Sequence, residues 1–475
     1  MAPIHLEDVA FEQALNSTAK QLLAYKKRSE NDQEAAAIQP MAEIAADLEL
    51  DHWLSEGGMT PDRYAEWLDH YLKPTTRFHN PRYLSHQVAV PDAPTALAEL
   101  IHGVINNPLA IFEMGPSAAT VEFAVINWML RHVGWQPEPY EGADGMHGGG
   151  VFTHGGSLAN LTALLAARAA AAPEAWEQGT PDDLFVMAAP AAHYSVARAI
   201  SILGIGHRRL IPLPVDDRDV IDASKLGSTI RQAKQRGRVM CVVASACATG
   251  SGLHDPLRAI GEICRESNVW LHVDAAHGAS ALLSPKYRGL LDGLELADST
   301  IWDAHKMLRT SGLSTAVLFR CARKMMSAMQ QEANYIMYGN SMGGVDLIHR
   351  TVECTKAPMA TKVLLNLAFR GESGVASYVQ DRYDFAREAY QLLHSRAGFE
   401  CPFPPESNIL CFRFGTDDAQ QISIREGLLK KGLFHLSSAV VAGKRYLRMS
   451  IMNPHTHADT IQQLILAIEE GHWRD

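Results

Sequence analysis

From about residue 149 onward, short runs of apolar, β-prone residues alternate with stretches whose apolar positions recur at helical spacing. "GGVFT" (149–153) precedes "SLANLTALLAARAAAA", in which Leu158, Leu161, Leu164, Leu165 and Ala169 keep helical spacing up to Pro173. "LFVMAAP" leads into "HYSVARAISILG", and "VMCVVASA" leads into "DPLRAIGEICRESN". "VWLHVDAA", "STIWD" and "TAVLFR" follow. Runs that stay apolar instead of alternating suit strands covered on both faces, so the pattern predicts an α/β unit around a mostly parallel sheet.

The flanks read differently. "FEQALNSTAKQLLAY" spaces Phe11, Leu15 and Leu22 along one helical face, and "MTPDRYAEWLDHYLK" opens with Thr60 as a cap and Pro61 in the first turn. Segment 74–95 is rich in proline and polar groups and reads as a loop. After about 360, helices mix with strands at "NILCFRFG" and "RYLRMSIM". The organisation predicted is a helical segment (1–95), a large domain (96–359) and a small α+β domain (360–475).

Composition narrows the class. A chain of 475 residues can hold more than one core, and 47% hydrophobic with 20% charged residues is ordinary for a globular protein. A formal charge of −10 with no basic stripe argues against nucleic-acid or anionic-membrane partners. The seven scattered cysteines form no C-x-x-C pair, which points to reduced thiols in a cytoplasm. The first residues lack a basic stretch followed by an apolar one, and no apolar run approaches the ~20 residues a bilayer needs.

Ligands of parallel sheets bind beyond the carboxyl ends of the strands, so the residues just after each run carry the chemistry. Gly156 and Ser157 open a long helix, where free N–H groups attract an anion; a serine cap on a tight turn is the plainer alternative. His193 follows "LFVMAAPAA", and Thr249 follows "VVASACA". Asp274 ends an apolar run, where a carboxylate needs a partner: a protonated ring nitrogen, or an arginine. Ala275, Ala276 and Gly278 beside it leave space for something flat. Lys306, in "STIWDAHKML", sits in poorly solvating surroundings beside Asp303 and His305, which predicts a depressed pKa and an amine reactive toward carbonyls. An anion cradle, an imidazole, a carboxylate and such a lysine together meet the requirements of pyridoxal 5'-phosphate.

At "GGSLANLTALLAAR", "AHYSVARA", "HVDAAHGAS" and "DAHKML" the chain resembles the pyridoxal-phosphate-dependent group II amino acid decarboxylases. That family includes glutamate, aromatic, histidine, cysteine sulfinate and 2,4-diaminobutyrate decarboxylases. The resemblance runs from "NPRYLSHQ" to "LRMSIMNPHTHAD" and implies the aspartate aminotransferase-like fold (type I), a homodimer and active sites shared across its interface. It implies Gly156 and Ser157 as phosphate ligands, His193 stacked on the cofactor ring, Ala276 on the other face and Thr249 near its phenolic or carboxylate side. It further implies Asp274 on the pyridine nitrogen, His305 as a phosphate or dimer contact, and Lys306 as the covalent anchor. Asp303 replaces an asparagine common in animal members, and "SACAT" replaces the usual "TAGTT", keeping only Thr249 of two threonines. Tyr335 or Tyr338, in "EANYIMYGNSMGG", is implied as the proton donor to Cα.

For the substrate, the regions "RYLSHQ" and "IFEMGPSAATVE" match pocket-lining stretches, which names His86, Gln87 and Phe112. His86 resembles the diaminobutyrate members, whereas Arg448 in "YLRMSIMNP" resembles the glutamate type, whose arginine grips a carboxylate. The reading favours an L-amino acid with an acidic or diamino side chain. The alternatives are an aromatic substrate, or decarboxylation coupled to oxidative deamination giving an aldehyde. No metal site is expected.

Overall fold

The computed structural model describes residues 4–32, 34–36, 38–140, 146–329 and 343–474. Its main sheet contains β1 (Gly149–Thr153), β2 (Leu184–Ala188), β3 (Leu210–Pro212), β4 (Arg238–Ser245), β5 (Trp270–Asp274), β6 (Ser299–Asp303) and β7 (Thr315–Phe319). Every residue of β1, β2, β5, β6 and β7 is buried, which is why their sequences do not alternate. The order is β1-β7-β6-β5-β4-β2-β3. Pairs among β2 to β6 are parallel, while β7 runs antiparallel to both neighbours. The reversal has a plain cause: residues 304–314 link β6 to β7, too short a link for the crossover a parallel neighbour needs. β3 is a short edge strand that the apolar pattern did not disclose.

Register sets the site. Ser245 lies opposite Asp274, Asp274 opposite Ile301, and Asp303 opposite Thr315, which in turn pairs with Thr153. One edge of the sheet therefore collects the strand ends that the sequence marked. Helix Gly156–Ala171 packs on the sheet through Ala159, Ala163, Leu164, Ala166 and Ala167, whereas Leu158 and Leu161 stay partly exposed. The buried face thus keeps Leu164 and Leu165 of the predicted stripe but is otherwise mostly alanine, because small side chains let the helix approach the strands closely.

Thr60 caps helix Pro61–Leu72 as expected, its Oγ1 accepting from Arg63 N at 3.3 Å. The 74–95 stretch is irregular only to residue 92. Helix Ala93–Ile105 then begins, with Pro94 in its first turn, and passes through position 95. Phe11 and Leu22 are exposed at 54% and 42% and Leu15 is half-buried, so the described residues cover the predicted apolar face of helix Ile4–Asn31 only in part.

A second sheet, β8 (Phe399–Glu400), β9 (Ile409–Phe414), β10 (Ser437–Val441) and β11 (Lys444–Ser450), is antiparallel in the order β10-β11-β9-β8. Ala442 and Gly443, with φ 47° and 77°, make the tight β10–β11 turn, whose handedness matches the strand twist. Its core includes Leu84, Phe385, Phe412 and Leu447. Helix Ala360–His394, kinked at Gly371 (φ 70°), packs on both units. Among the described residues no helix is long and apolar enough to cross a membrane.

Candidate active site

A cleft of ≈ 180 Å³ opens at the carboxyl edge of the main sheet. Gly156, Ser157, His193, Thr249, Asp274, Ala276, Asp303, His305 and Lys306 line it, together with Asn160, Cys247, His277 and Ile301. The strand-end residues named from the sequence therefore meet in one place.

Gly155 (φ 98°) turns the chain out of β1 so that the helix beginning at Gly156 aims its first N–H groups, which have no intrahelical acceptor, at the cleft. Asp303 ends β6 at 2% exposure, accepting from Thr315 Oγ1 at 2.6 Å and pairing with Lys306 Nζ at 2.8 Å. His305 Nε2 lies 3.6 Å from the same carboxylate. Burial opposes the charge on Asp303, but Lys306 and His305 outweigh it and hold the carboxyl below its ordinary range. The same pair corrects an expectation. Burial does pull the Lys306 amine down, yet Asp303 wins and raises it, so Lys306 is a stabilised ammonium here and not a depressed amine.

Asp274 accepts from Asn160 Nδ2 at 3.0 Å and from Ala276 N at 3.3 Å. It is 9% exposed, and among the described residues no cationic side chain forms an ion pair with it. A buried carboxylate left in that condition suits a cationic ligand atom. Ala276 faces the cleft while Ala275 packs into the core. Gly278 serves another purpose than the predicted open space: a Cβ there would lie 2.4 Å from Ala246 O and 2.7 Å from Cys247 N. It admits the β4 loop that carries Cys247 and Thr249. His193 is half-buried, and burial chiefly lowers its pKa.

Arg448, on β11, reaches this edge from the small sheet. It is 5% exposed, and burial lowers its pKa. Nε donates to Thr249 O at 2.8 Å, and Nη1 to Ser85 O and Ser437 Oγ at 3.1 Å each. Nη2 is buried without a partner, and no carboxylate pairs with this guanidinium among the described residues. His86 follows Ser85 and contacts His435 ring to ring at 5.7 Å; burial, then Arg448, lowers the His86 pKa. Gln87 lies between Ser85 and Ala89, whose N–H donates to His305 O at 3.3 Å. Phe112 is not brought here by one chain: it lines a separate cleft with Ala119, Phe123 and Tyr140. Tyr335 and Tyr338 lie outside the described residues.

The sequence reading passed over Asn160, Cys247 and His277. Asn160 carried a signal, an amide one turn into a helix and flanked by residues that bury, where a polar side chain has to find partners. His277 donates through Nε2 to Asn408 Oδ1 at 2.6 Å, and burial drives its pKa to about 3. Burial likewise pushes the Cys247 thiol up to about 11. Among the described residues no cluster could hold a metal ion.

Comparison with known proteins agrees with this geometry. Residues 68–415 match the pyridoxal-dependent decarboxylase conserved domain. The mouse acidic amino acid decarboxylase GADL1 is 27% identical over 93% of this chain and 82% of its own length. The L-2,4-diaminobutyrate decarboxylase of Acinetobacter baumannii is 26% identical over 84% of this chain and 81% of its own. The crystal structure of mouse CSAD superposes with a TM-score of 0.88 at 24% identity, covering 98% of this chain and 99% of that one.

Proposed function

The chain belongs to the pyridoxal-dependent decarboxylase family, and from that premise we propose that its substrate is an L-amino acid whose side chain ends in a carboxylate. One observation carries the reading: Arg448 is a buried guanidinium with an unpartnered Nη2 and no counter-ion among the described residues. A buried charge of this kind is costly until an anion meets it, and the free Nη2 can donate to a carboxylate oxygen in a charge-assisted hydrogen bond. The name of the mouse relative points the same way.

The residues present fit the cofactor. Pyridoxal phosphate, when bound, accepts the electron pair released at Cα as carbon dioxide leaves. Lys306 is assigned the covalent hold, with Asp303 and His305 beside it. Asp274 would keep a proton on the ring nitrogen, its carboxylate free of other cations. His193 and Ala276 are assigned the two faces of the ring, Gly156, Ser157 and His305 the phosphate, and Thr249 the phenolic or carboxylate side. Arg448, with His86 and Gln87 near it, would orient the substrate side chain. Tyr335 and Tyr338 remain the sequence-derived candidates for returning a proton to Cα. The turnover consumes one proton as it exchanges the α-carboxylate for hydrogen.

A homodimer fits the exposed apolar surface. Leu97, Leu100, Ile101, Val104 and Ile105 on helix Ala93–Ile105 are 39–63% exposed, and Phe11 and Leu22 add to the uncovered area. A partner seated on this face would also let Phe112 reach a site. A cytoplasmic location rests on the seven scattered cysteines, which form no C-x-x-C pair.

The test is carbon dioxide release from glutamate, aspartate, cysteine sulfinate, 2,4-diaminobutyrate and aromatic amino acids. Preference for the acidic group supports the reading. Preference for diaminobutyrate or an aromatic substrate overturns it, and aldehyde with hydrogen peroxide would reassign the reaction.

A further inference from the structure

Behind the cleft, buried polar side chains form a branched chain of hydrogen bonds. Asn160 Nδ2 donates to Asp274 Oδ2 at 3.0 Å and to Ser195 Oγ at 2.8 Å. Asn160 Oδ1 is 2.9 Å from His272 Nε2, and His272 Nδ1 is 2.9 Å from Ser299 Oγ, which accepts from Trp270 Nε1 at 2.9 Å. Ser195 Oγ lies 2.7 Å from His193 Nδ1, which also faces Ser195 N at 3.3 Å. Asn160, Ser195, His272 and Ser299 are at most 1% exposed.

Donor and acceptor logic then fixes each orientation. An ionised Asp274 accepts only, so the nitrogen of the Asn160 amide faces it and the oxygen faces His272. His272 must therefore carry its proton on Nε2, and burial keeps this imidazole neutral by lowering its pKa to about 4. Ser299 supplies the proton to Nδ1. On the other branch, Ser195 Oγ accepts from Asn160, so its own proton goes to His193 Nδ1, where the backbone N–H also points. His193 is left with its proton on Nε2.

We infer that Asn160 is a positioning residue through which the charge on Asp274 sets the tautomer of His193, with His272 and Ser299 clamping the amide from behind. The same amide holds the carboxylate in place and makes the ring over the cofactor a hydrogen-bond donor toward the cleft. This rests on the cofactor reading above, and it adds that the ring-nitrogen partner and the stacking imidazole are one coupled unit.

The experiment compares wild type, Asn160→Ala and Ser195→Ala by titrating the cofactor-free proteins with pyridoxal phosphate. It also records ¹⁵N spectra of histidine-labelled protein, with His193 identified by its absence in His193→Asn. Wild type should bind the cofactor and show His193 as the Nε2–H form; failure to bind would count against the cofactor reading itself, whereas another tautomer of His193 would overturn the inference. Asn160→Ala should weaken binding on the order of tenfold or more, the scale of one lost hydrogen bond to a charged group. Its His193 should become a tautomer mixture. Ser195→Ala should weaken binding less while moving His193 in the same direction, and it decides the matter if circular dichroism shows Asn160→Ala unfolded. Wild-type cofactor affinity in folded Asn160→Ala, or a His193 signal unchanged in Ser195→Ala, overturns the inference. A role confined to packing would lower the melting temperature and leave the tautomer alone.

Discussion

Replacing Arg448 with methionine separates recognition of a substrate carboxylate from mere support of the fold. Methionine keeps much of the length and removes the charge. The variant loses three hydrogen bonds, to Thr249 O, Ser85 O and Ser437 Oγ. At about 1 kcal/mol each, these would cost up to ~3 kcal/mol of stability. Removing a buried, unpaired charge offsets part of this, since such an ion carries a desolvation penalty of several kcal/mol. The net change in folding stability should therefore be small. Binding is another matter, because on the proposed reading the substrate carboxylate would be the counter-ion. Loss of one member of a buried, hydrogen-bonded charge pair costs about 2–5 kcal/mol, or roughly 30- to 5,000-fold in kcat/KM. The assay is kcat/KM for the preferred acidic substrate and for a neutral amino acid of similar length, beside a thermal melt. Acidic turnover should collapse while the neutral substrate changes little. A fall under about threefold, or an equal fall for both substrates, would refute the argument that Arg448 awaits an anion.

Other perturbations follow from the same geometry. Lys306→Ala should abolish turnover, and borohydride reduction followed by mass spectrometry should find no cofactor attached to the chain. Asp303→Asn removes the carboxylate that raises the Lys306 amine, so burial should prevail. The reaction of that amine with an acylating reagent in the cofactor-free protein should then set in at lower pH than in wild type. His272 and His277 are held neutral, with pKa lowered to about 4 and about 3 from 6.5. Below pH 6.5 the unfolded chain takes up protons that the folded chain refuses. Stability from each should fall by about 1.4 kcal/mol per pH unit until its folded value is reached. Urea unfolding at pH 7, 6 and 5 reads this, and a flat profile would contradict it. Gly278→Ala forces a methyl against Ala246 O and Cys247 N, so a loss of about 1–3 kcal/mol and weaker cofactor retention are expected, seen by melting and by dialysis.

The sequence by itself determined the sheet and the strand ends. Continuously apolar runs such as "LFVMA" and "VWLHV" can bury both faces only within a covered sheet, and a ligand-bearing residue placed after such a run has one edge to occupy. The meeting of Gly156, His193, Asp274 and Lys306 at that edge was therefore legible before any coordinates. Tertiary structure decided what depends on distant partners. β7 reverses because its link from β6 is short. The face of helix Gly156–Ala171 that meets the strands is mostly alanine, joined by Leu164 and Leu165, while Leu158 and Leu161 stay partly exposed, because close approach favours small side chains. Gly278 yields to a loop that is remote in sequence, and Asp303 inverts the expected shift of Lys306 because 2.8 Å of separation outweighs burial. Asn160 and Arg448 gain meaning only when the fold places one against Asp274 and leaves the other without an anion. Local periodicity specifies which face a side chain occupies; the charge and hydrogen-bond partners it meets there are set by elements far along the chain.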